Sequence, residues 1–349
     1  MRLIFIKILT LAHTYFLTIH CLQIVFVIYN MHTHIIGGIM EIDLVYLWVD
    51  DTDFDWKKKF NKYRNVPEQF DADAVDICRF YNNDELKYSL RSVEKNAPWI
   101  NKIFIITDNQ VPSWLNVDNP KIRIVDHSEI IPKDKLPLFN SCAIESRIPF
   151  IKDLSEYFLY ANDDTFIWDT IDKDFFFENN KLVVRVEKFL KKGRKYNSLY
   201  GMSLLNTYNI FRKKYKSEIY AFYPHHNIDI YKKSLFINCI NDFKNEFEDL
   251  LLQRFRTSSD VQRCIVAFYM LMKNEAVLKI ISRNFIQKIF KMKTDSMIYS
   301  LKGKHLPKLI RANTKLMCIN DNQRTTVKDR ENIKKILEEK FSEKSSFEK

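Results

Sequence analysis

The sequence predicts an α/β protein: a mostly parallel sheet flanked by helices, followed by a helical C-terminal part. Two observations predict it. Short apolar runs of strand character alternate with segments of helical period, as parallel strands joined by crossovers require. The 349 residues are also 46% hydrophobic and 14% aromatic, enough to bury one large α/β domain with an appended part, or two modest domains. So many Phe and Tyr residues exclude a disordered chain.

Residues 1–39 stand apart. Ile8–Asn30 carries no charge beyond His13 and His20, is rich in Leu, Ile, Val and Phe, and is long enough for a signal anchor. A start at Met40 accounts for the leader equally well, and no small-residue cleavage site marks a signal peptide. A catalytic region is expected over residues 40–325.

Ile42–Val49 (IDLVYLWV) reads as a buried strand running into the acidic turn Asp50-Asp51-Thr52-Asp53. After Asn83-Asp84-Glu85, Leu86, Leu90 and Val93 share one helical face, and Pro98 stops the helix. Lys102–Thr107 and Lys121–Asp126 read as two further strands, and Ser141–Ile151 as a helix. Glu156–Ala161 is another strand, delivering Asn162-Asp163-Asp164 at its end. Residues 180–224 are basic and aromatic without clear period, which suggests an insertion or acceptor-side lobe. Ile230–Lys273 reads as helical, interrupted at Arg254–Asp260. From Lys328 onward Lys and Glu alternate, so 326–349 reads as a charged, solvated helix with a frayed end.

Ligands of such sheets sit beyond the carboxyl ends of the strands, and two predicted strands end there in clustered carboxylates. The five glycines form neither G-x-G-x-x-G nor a phosphate-binding loop, which excludes nicotinamide enzymes and P-loop ATPases. Any bound phosphate must then be held by metal and basic side chains. Asp163 and Asp164 could hold Mg²⁺ or Mn²⁺ through hard oxygen ligands. An Asn-Asp-Asp turn without function is the competing reading. His225-His226 could supply a general base or be a structural pair. Arg254 and Arg256 could fork a phosphate or be ordinary surface charge.

The net charge of +11 suggests an anionic partner, and a Lys-rich solvated surface explains it as well. Basic and aromatic residues alternate in 185–215, but no recognised nucleic-acid module accompanies them, so no nucleic-acid partner is expected. The six scattered cysteines lack any C-x-x-C pair or histidine at zinc-ligand spacing. They read as reduced thiols of a cytoplasmic protein, without a structural zinc site.

Four blocks together resemble the Stealth family, which contains bacterial capsular polysaccharide phosphotransferases and the catalytic subunit of the eukaryotic N-acetylglucosamine-1-phosphotransferase. They are IDLVYLWVDDTD at Ile42–Asp53; Asn83–Asp164, from NDELKYSLRSVEKNAPWINKIFIITDNQVPSWLN to LSEYFLYANDD; His225–Asp260, ending in RFRTSSD; and MCINDN at Met317–Asn322. The resemblance implies a glycosyltransferase-A-like fold and a UDP-sugar donor. An acceptor hydroxyl of a glycan would attack the sugar-bearing phosphorus, and UMP would leave. It also implies active-site roles for Asp53, Asp163, Asp164, His226, Arg256 and Asp321, with Asn320 beside the last at the donor. Lys87 and Arg91, one helical turn apart, resemble the family's basic pair and would face the donor phosphates. The match departs at Asp51, where the family usually carries Gly, and at Asn227-Ile228, where a Pro is common; His225 and His226 are therefore both candidates. The compact length favours the bacterial capsule type, cytoplasmic or associated with the inner membrane. Two rivals are a metal-dependent glycosyltransferase releasing UDP and a non-catalytic polyanion-binding protein.

Overall fold

The structure, a computed structural model, describes residues 40–65, 72–190, 195–216, 221–281, 293–300 and 309–349. The leader 1–39, with Cys21, lies outside the described residues. Residues Ile42–Lys349 form one compact unit.

Its centre is a five-stranded sheet in the order β3-β2-β1-β4-β9, formed by β1 (Ile42–Leu47), β2 (Ile103–Thr107), β3 (Ile122–Asp126), β4 (Tyr157–Asn162) and β9 (Asp229–Lys232). The first four strands are mutually parallel, and only β9 runs against β4. This is the mostly parallel sheet the sequence predicts. β1 and β2 are buried on both faces, which is why they read as unbroken apolar runs rather than alternating ones. At the amino ends of the strands, buried Asp43 ties three segments together. It accepts from Lys102 N at 3.1 Å, Asn101 Nδ2 at 2.9 Å and Ser155 N at 2.7 Å.

Two smaller sheets flank the centre. One has the order β10-β7-β6, with β8 (Phe222–Pro224) also paired to β7, and contains β6 (Phe177–Glu178), β7 (Lys181–Phe189) and β10 (Ala276–Ile280). The other runs β11 (Thr294–Ser300), β12 (Thr314–Asn320), β5 (Thr165–Ile167). The helices are α1 (Phe54–Arg64), α2 (Glu85–Asn96), α3 (His127–Ile130), α4 (Ser141–Glu145), α5 (Leu199–Tyr215), α6 (Lys233–Asp242), α7 (Lys244–Leu250), α8 (Cys264–Met272) and α9 (Val327–Lys340). Among the described residues, no helix is long and apolar enough to cross a membrane.

Three local expectations change. The helix read over Ser141–Ile151 is α4 followed by a short 3₁₀ turn, Ile148–Phe150, because Pro149 cannot donate a helical hydrogen bond. The stretch 180–224 carries regular structure, β7, α5 and β8. Arg185 obscures the strand's apolar pattern; it is buried by pairing with Asp295 at 3.1 Å and lies 3.9 Å from the Phe175 ring centroid. The helical reading that begins at Ile230 instead starts inside β9, whose four residues are held by pairing with β4.

The largest difference lies at the C-terminus. Helix α9 is not solvated all round: Ile333, Ile336 and Leu337 pack with Tyr88, Phe166, Trp168 and Phe341. The chain beyond it does not fray but folds back along the start of the domain. Asn116 N donates to Phe347 O at 2.8 Å, and Leu115 bridges Glu348. Glu348 reaches Arg91 on α2, where Nε lies 2.8 Å from Oε1 and Nη2 lies 3.0 Å from Oε2. Arg91 Nη1 also donates to Phe341 O at 2.8 Å. Lys87 Nζ approaches the same carboxylate at 3.7 Å. The pair expected to face donor phosphates is therefore engaged with an acid 257 positions away in Arg91's case.

The Arg91 and Glu348 side chains are only 7% and 2% exposed, so removing one partner strands the other's charge away from water. Hydrogen bonding by Arg91 and Ser345 overcomes the burial that opposes ionisation and holds the Glu348 carboxyl at about 2, below its ordinary 4.5. The pair thus stabilises the fold fully above that ordinary value and loses its contribution as pH falls toward about 2. Glu348→Gln should cost about 3–5 kcal/mol at neutral pH in urea unfolding, and its deficit relative to the parent should shrink through the acid window. A variant with the parent's midpoint at neutral pH would show that the clasp contributes nothing.

Candidate active site

The sheet itself selects where a site can form. From β1 the chain proceeds outward to β2 and β3, then returns to place β4 on the other side of β1. The carboxyl ends of β1 and β4 therefore flank the point where strand order reverses, and loops leaving there diverge and open a crevice. Leu47 stands opposite Asn162 in this register, so the segments after them emerge together.

A cavity of about 780 Å³ occupies that edge. Asp163, Asp164, His225, His226, Arg256, Asn320 and Asp321 all line it. The structure thus brings together expected residues from three separated blocks. It does not bring Asp53, Lys87 or Arg91 to the cavity wall. Asp53 is the N-cap of α1, its carboxylate accepting from Trp56 N at 2.7 Å. Lys87 and Arg91 are held in the C-terminal clasp. Arg254 turns aside too, donating to Pro137 O at 2.7 Å and lying 4.1 Å from the centroid of the Tyr63 ring.

Asp163 and Asp164 occupy the tight turn between β4 and β5, closed by Thr165 Oγ1 donating to Asn162 O at 2.6 Å. Because β5 pairs with β12, the fourth block arrives beside this turn. Cys318 stands opposite Thr165, and Ile319 N donates to Asp164 O at 2.9 Å. Asp321, just past β12, is steadied by Arg330 Nε at 2.9 Å.

The acids are crowded. Glu85, at the start of α2, is 8% exposed and accepts from Asn83 N and Nδ2, both at 2.6 Å. Burial, and then each acid's charged neighbours, push these carboxyls up. Asp164 rises to about 7 with Glu85 as its main charged neighbour, and Asp163 to about 7 with Asp164 as its own. Glu85 rises to about 8, with Asp163 next to burial as the cause. Asp164 Oδ1 is shut off from solvent and has no hydrogen-bond partner. An orphaned carboxylate oxygen amid like charges is what a divalent cation would satisfy, so the residues fit Mg²⁺ or Mn²⁺ held by Asp163 and Asp164.

The bases have different surroundings. His226 Nε2 lies 3.2 Å from Asn162 Nδ2, while Asn162 Oδ1 accepts from Tyr160 Oη at 2.7 Å. That orients the amide as donor and leaves the His226 proton on Nδ1. Burial, then the guanidinium groups of Arg263 and Arg256, push His226 down to about 4, so it is neutral near pH 7. His225 is also driven to about 4 by burial, but its backbone is tied to Arg185 O at 3.1 Å and its Nδ1 has no partner. Of the two histidines, it is His226 whose ring nitrogen lies within 4.8 Å of ligand atoms of both Asp164 and Cys318. Arg256 donates to Ser141 Oγ at the mouth of α4.

Arg263 and Glu145 are functional candidates the sequence reading missed. Arg263 donates to Glu145 Oε2 at 2.8 Å, Asp229 Oδ2 at 2.9 Å and Tyr231 Oη at 2.7 Å. It also lies 3.9 Å from the Tyr160 ring centroid, so one half-buried cation fixes α4, β4 and β9 around the cavity. Glu145 lies inside the block AIES that carries the resemblance, which was the available signal. Arg263 stands seven residues beyond Arg256 with no local pattern to mark it.

A parallel sheet that opens a cavity at its strand-order reversal, lined by crowded acids, a neutral imidazole and a guanidinium, defines an α/β enzyme. Conserved region 2 of Stealth proteins matches residues 79–185. The capsular polysaccharide phosphotransferase WcwK of Streptococcus pneumoniae is 31% identical over 347 residues, covering 88% of this chain and 98% of the relative. Fcs1 of Haemophilus influenzae, another capsular polysaccharide phosphotransferase, is 38% identical over 247 residues, covering 68% of this chain and 67% of the relative. SacB of Neisseria meningitidis serogroup A, of the same description, is 32% identical over 330 residues; the match covers 88% of this chain but spans only 57% of that relative's length. The chain belongs to the Stealth family. A solved structure of the galactosyltransferase LgtC, with donor and acceptor sugar analogues, aligns over 85% of this chain and 96% of its own at 11% identity and a TM-score of 0.40.

Excess Mg²⁺ should raise the melting temperature of the parent chain, since a ligand at one hundred times its Kd adds about 2.7 kcal/mol. Asp164→Asn should melt higher than the parent without metal, because a repelling charge is gone, and should lose most of the Mg²⁺ response. A Mg²⁺ response of parental size in Asp164→Asn would count against this carboxylate as a ligand.

Proposed function

We propose that this Stealth-family enzyme transfers a sugar-1-phosphate from a UDP-sugar to a hydroxyl of a glycan acceptor, releasing UMP, in capsule or exopolysaccharide synthesis. The observation that carries the reading is the meeting of Asp163-Asp164, His226, Arg256 and Asn320-Asp321 in one cavity from blocks far apart in the chain. Family membership supplies the reaction class.

The chemistry follows from the side chains. Phosphoryl-type transfer depends chiefly on positioning and on neutralising charge at phosphorus. Mg²⁺ or Mn²⁺, held by Asp163 and Asp164, would supply that neutralisation on the diphosphate when bound. Arg256, half-buried and, among the described residues, without a carboxylate within salt-bridge distance, keeps its guanidinium available for phosphate oxygens. Arg263 is already committed to Glu145 and Asp229, so it positions groups rather than gripping the donor.

His226 is the base. Its neutral ring accepts the acceptor hydroxyl's proton at Nε2 as that oxygen bonds to phosphorus and the bond to the UMP oxygen breaks. Asn162 holds the ring ready and yields its place to the hydroxyl. The cations that hold His226 neutral in the free enzyme are countered once an anionic diphosphate enters, which favours the imidazolium that forms. The reading includes a cytoplasmic location, with peripheral or anchored association with the inner membrane.

Incubating the chain with a panel of UDP-sugars, Mg²⁺ and capsular oligosaccharide should release UMP. Release of UDP instead would indicate attack at the anomeric carbon and overturn phosphotransfer. His226→Ala should lower kcat by about 10²- to 10⁴-fold, the usual contribution of a general base. Arg256→Ala should lose most turnover as well. Unchanged turnover in both variants would remove His226 and Arg256 from the mechanism, and no nucleotide release by the parent chain from any donor would leave only a polyanion-binding role.

A further inference from the structure

Cys318 has no part in the proposed transfer, yet it sits against the acids. Its Sγ lies 3.6 Å from Asp164 Oδ2, deep in β12. One ligand atom each from Asp164, His226 and Cys318 can be chosen so that all lie within 4.8 Å of one another, the spread of donors around a single small cation. The other oxygen of Asp164, Oδ1, is buried and without a partner. These donors are carboxylate, imidazole and thiol. Mg²⁺ prefers oxygen alone, whereas zinc-class ions prefer nitrogen and sulfur donors at tetrahedral sites.

We propose that Asp164, His226 and Cys318 form an inhibitory site for a zinc-class divalent cation, overlapping the face that would take Mg²⁺. Three protein ligands leave a fourth position for water, the arrangement of an open site. On binding, the Cys318 thiol gives its proton to solvent and the thiolate bonds to the metal. Occupancy engages the His226 lone pair, so the imidazole can no longer take a proton from an acceptor. The inhibitory part of this inference rests on the transfer reading above; the binding part does not.

Cobalt(II) tests it, because thiolate bonded to cobalt gives a sulfur-to-metal charge-transfer absorption in the near ultraviolet that oxygen and nitrogen ligands do not. The full chain, reduced and metal-free, should develop that band on titration to one equivalent of Co²⁺, and Zn²⁺ should abolish it by displacement. Cys318→Ala and Cys318→Ser should both lose the band, and their Zn²⁺ affinity should fall by about 10- to 100-fold. No band in the parent chain overturns the site whatever the variants do. A band kept in folded Cys318 variants assigns the thiolate elsewhere and overturns it equally. A chain that shows the band but transfers nothing from any UDP-sugar would separate failure of the functional reading from failure of this one.

Discussion

Crowding of like charge at the carboxyl edge of the sheet is the constraint around which the rest of the molecule is arranged. Asp163 and Asp164 sit side by side in a two-residue turn, where Asp164 raises the proton affinity of Asp163 and Glu85 that of Asp164. Left to itself such a turn would open to water. It is held because the strands on either side have other partners: β4 lies between β1 and β9, while β5 is bonded to β12. The backbone pairing of two different sheets fixes the acids in place, and their repulsion is stored until a cation or a proton relieves it.

The surrounding structure reads as support for that arrangement. The C-terminal segment grips Arg91 in the middle of α2, and the first residue of α2 is Glu85. Helix α9 packs against Phe166 and Trp168, on β5 and just beyond it, immediately after the acidic turn. On the opposite wall, Arg263 links α4, β4 and β9 through Glu145, Tyr160, Asp229 and Tyr231. Both devices are guanidinium–carboxylate pairs, the first buried and the second half-buried, which satisfy geometry more than they add net stability. They suit a cavity whose lining must hold its distances.

Much of the cavity lining was legible in the chain because the candidate residues are concentrated in short blocks. Asp163-Asp164, the His225-His226 pair and Asn320-Asp321 all lie within recognisable segments, and all line the cavity. The same blocks misled where a residue has a structural use as ready as a chemical one. Asp53 caps a helix, and Lys87 and Arg91 hold a distant glutamate. No local spacing distinguishes a phosphate-binding arginine from one that closes a C-terminal clasp, since the deciding partner lies at the far end of the chain.

Sequence alone determined the parallel strands and the acidic turns at their ends, because those follow from apolar runs and turn residues within a few positions. It also determined the family, through long blocks in order. Only the tertiary structure decided which charges meet. The pairing of β5 with β12 put Cys318 beside Asp164, the return of β9 beside β4 brought Asp229 to Arg263, and the fold-back of residues 341–349 engaged Arg91 away from the cavity. Each depends on contacts between residues tens to hundreds of positions apart, and such contacts leave no periodicity for a local reading to find.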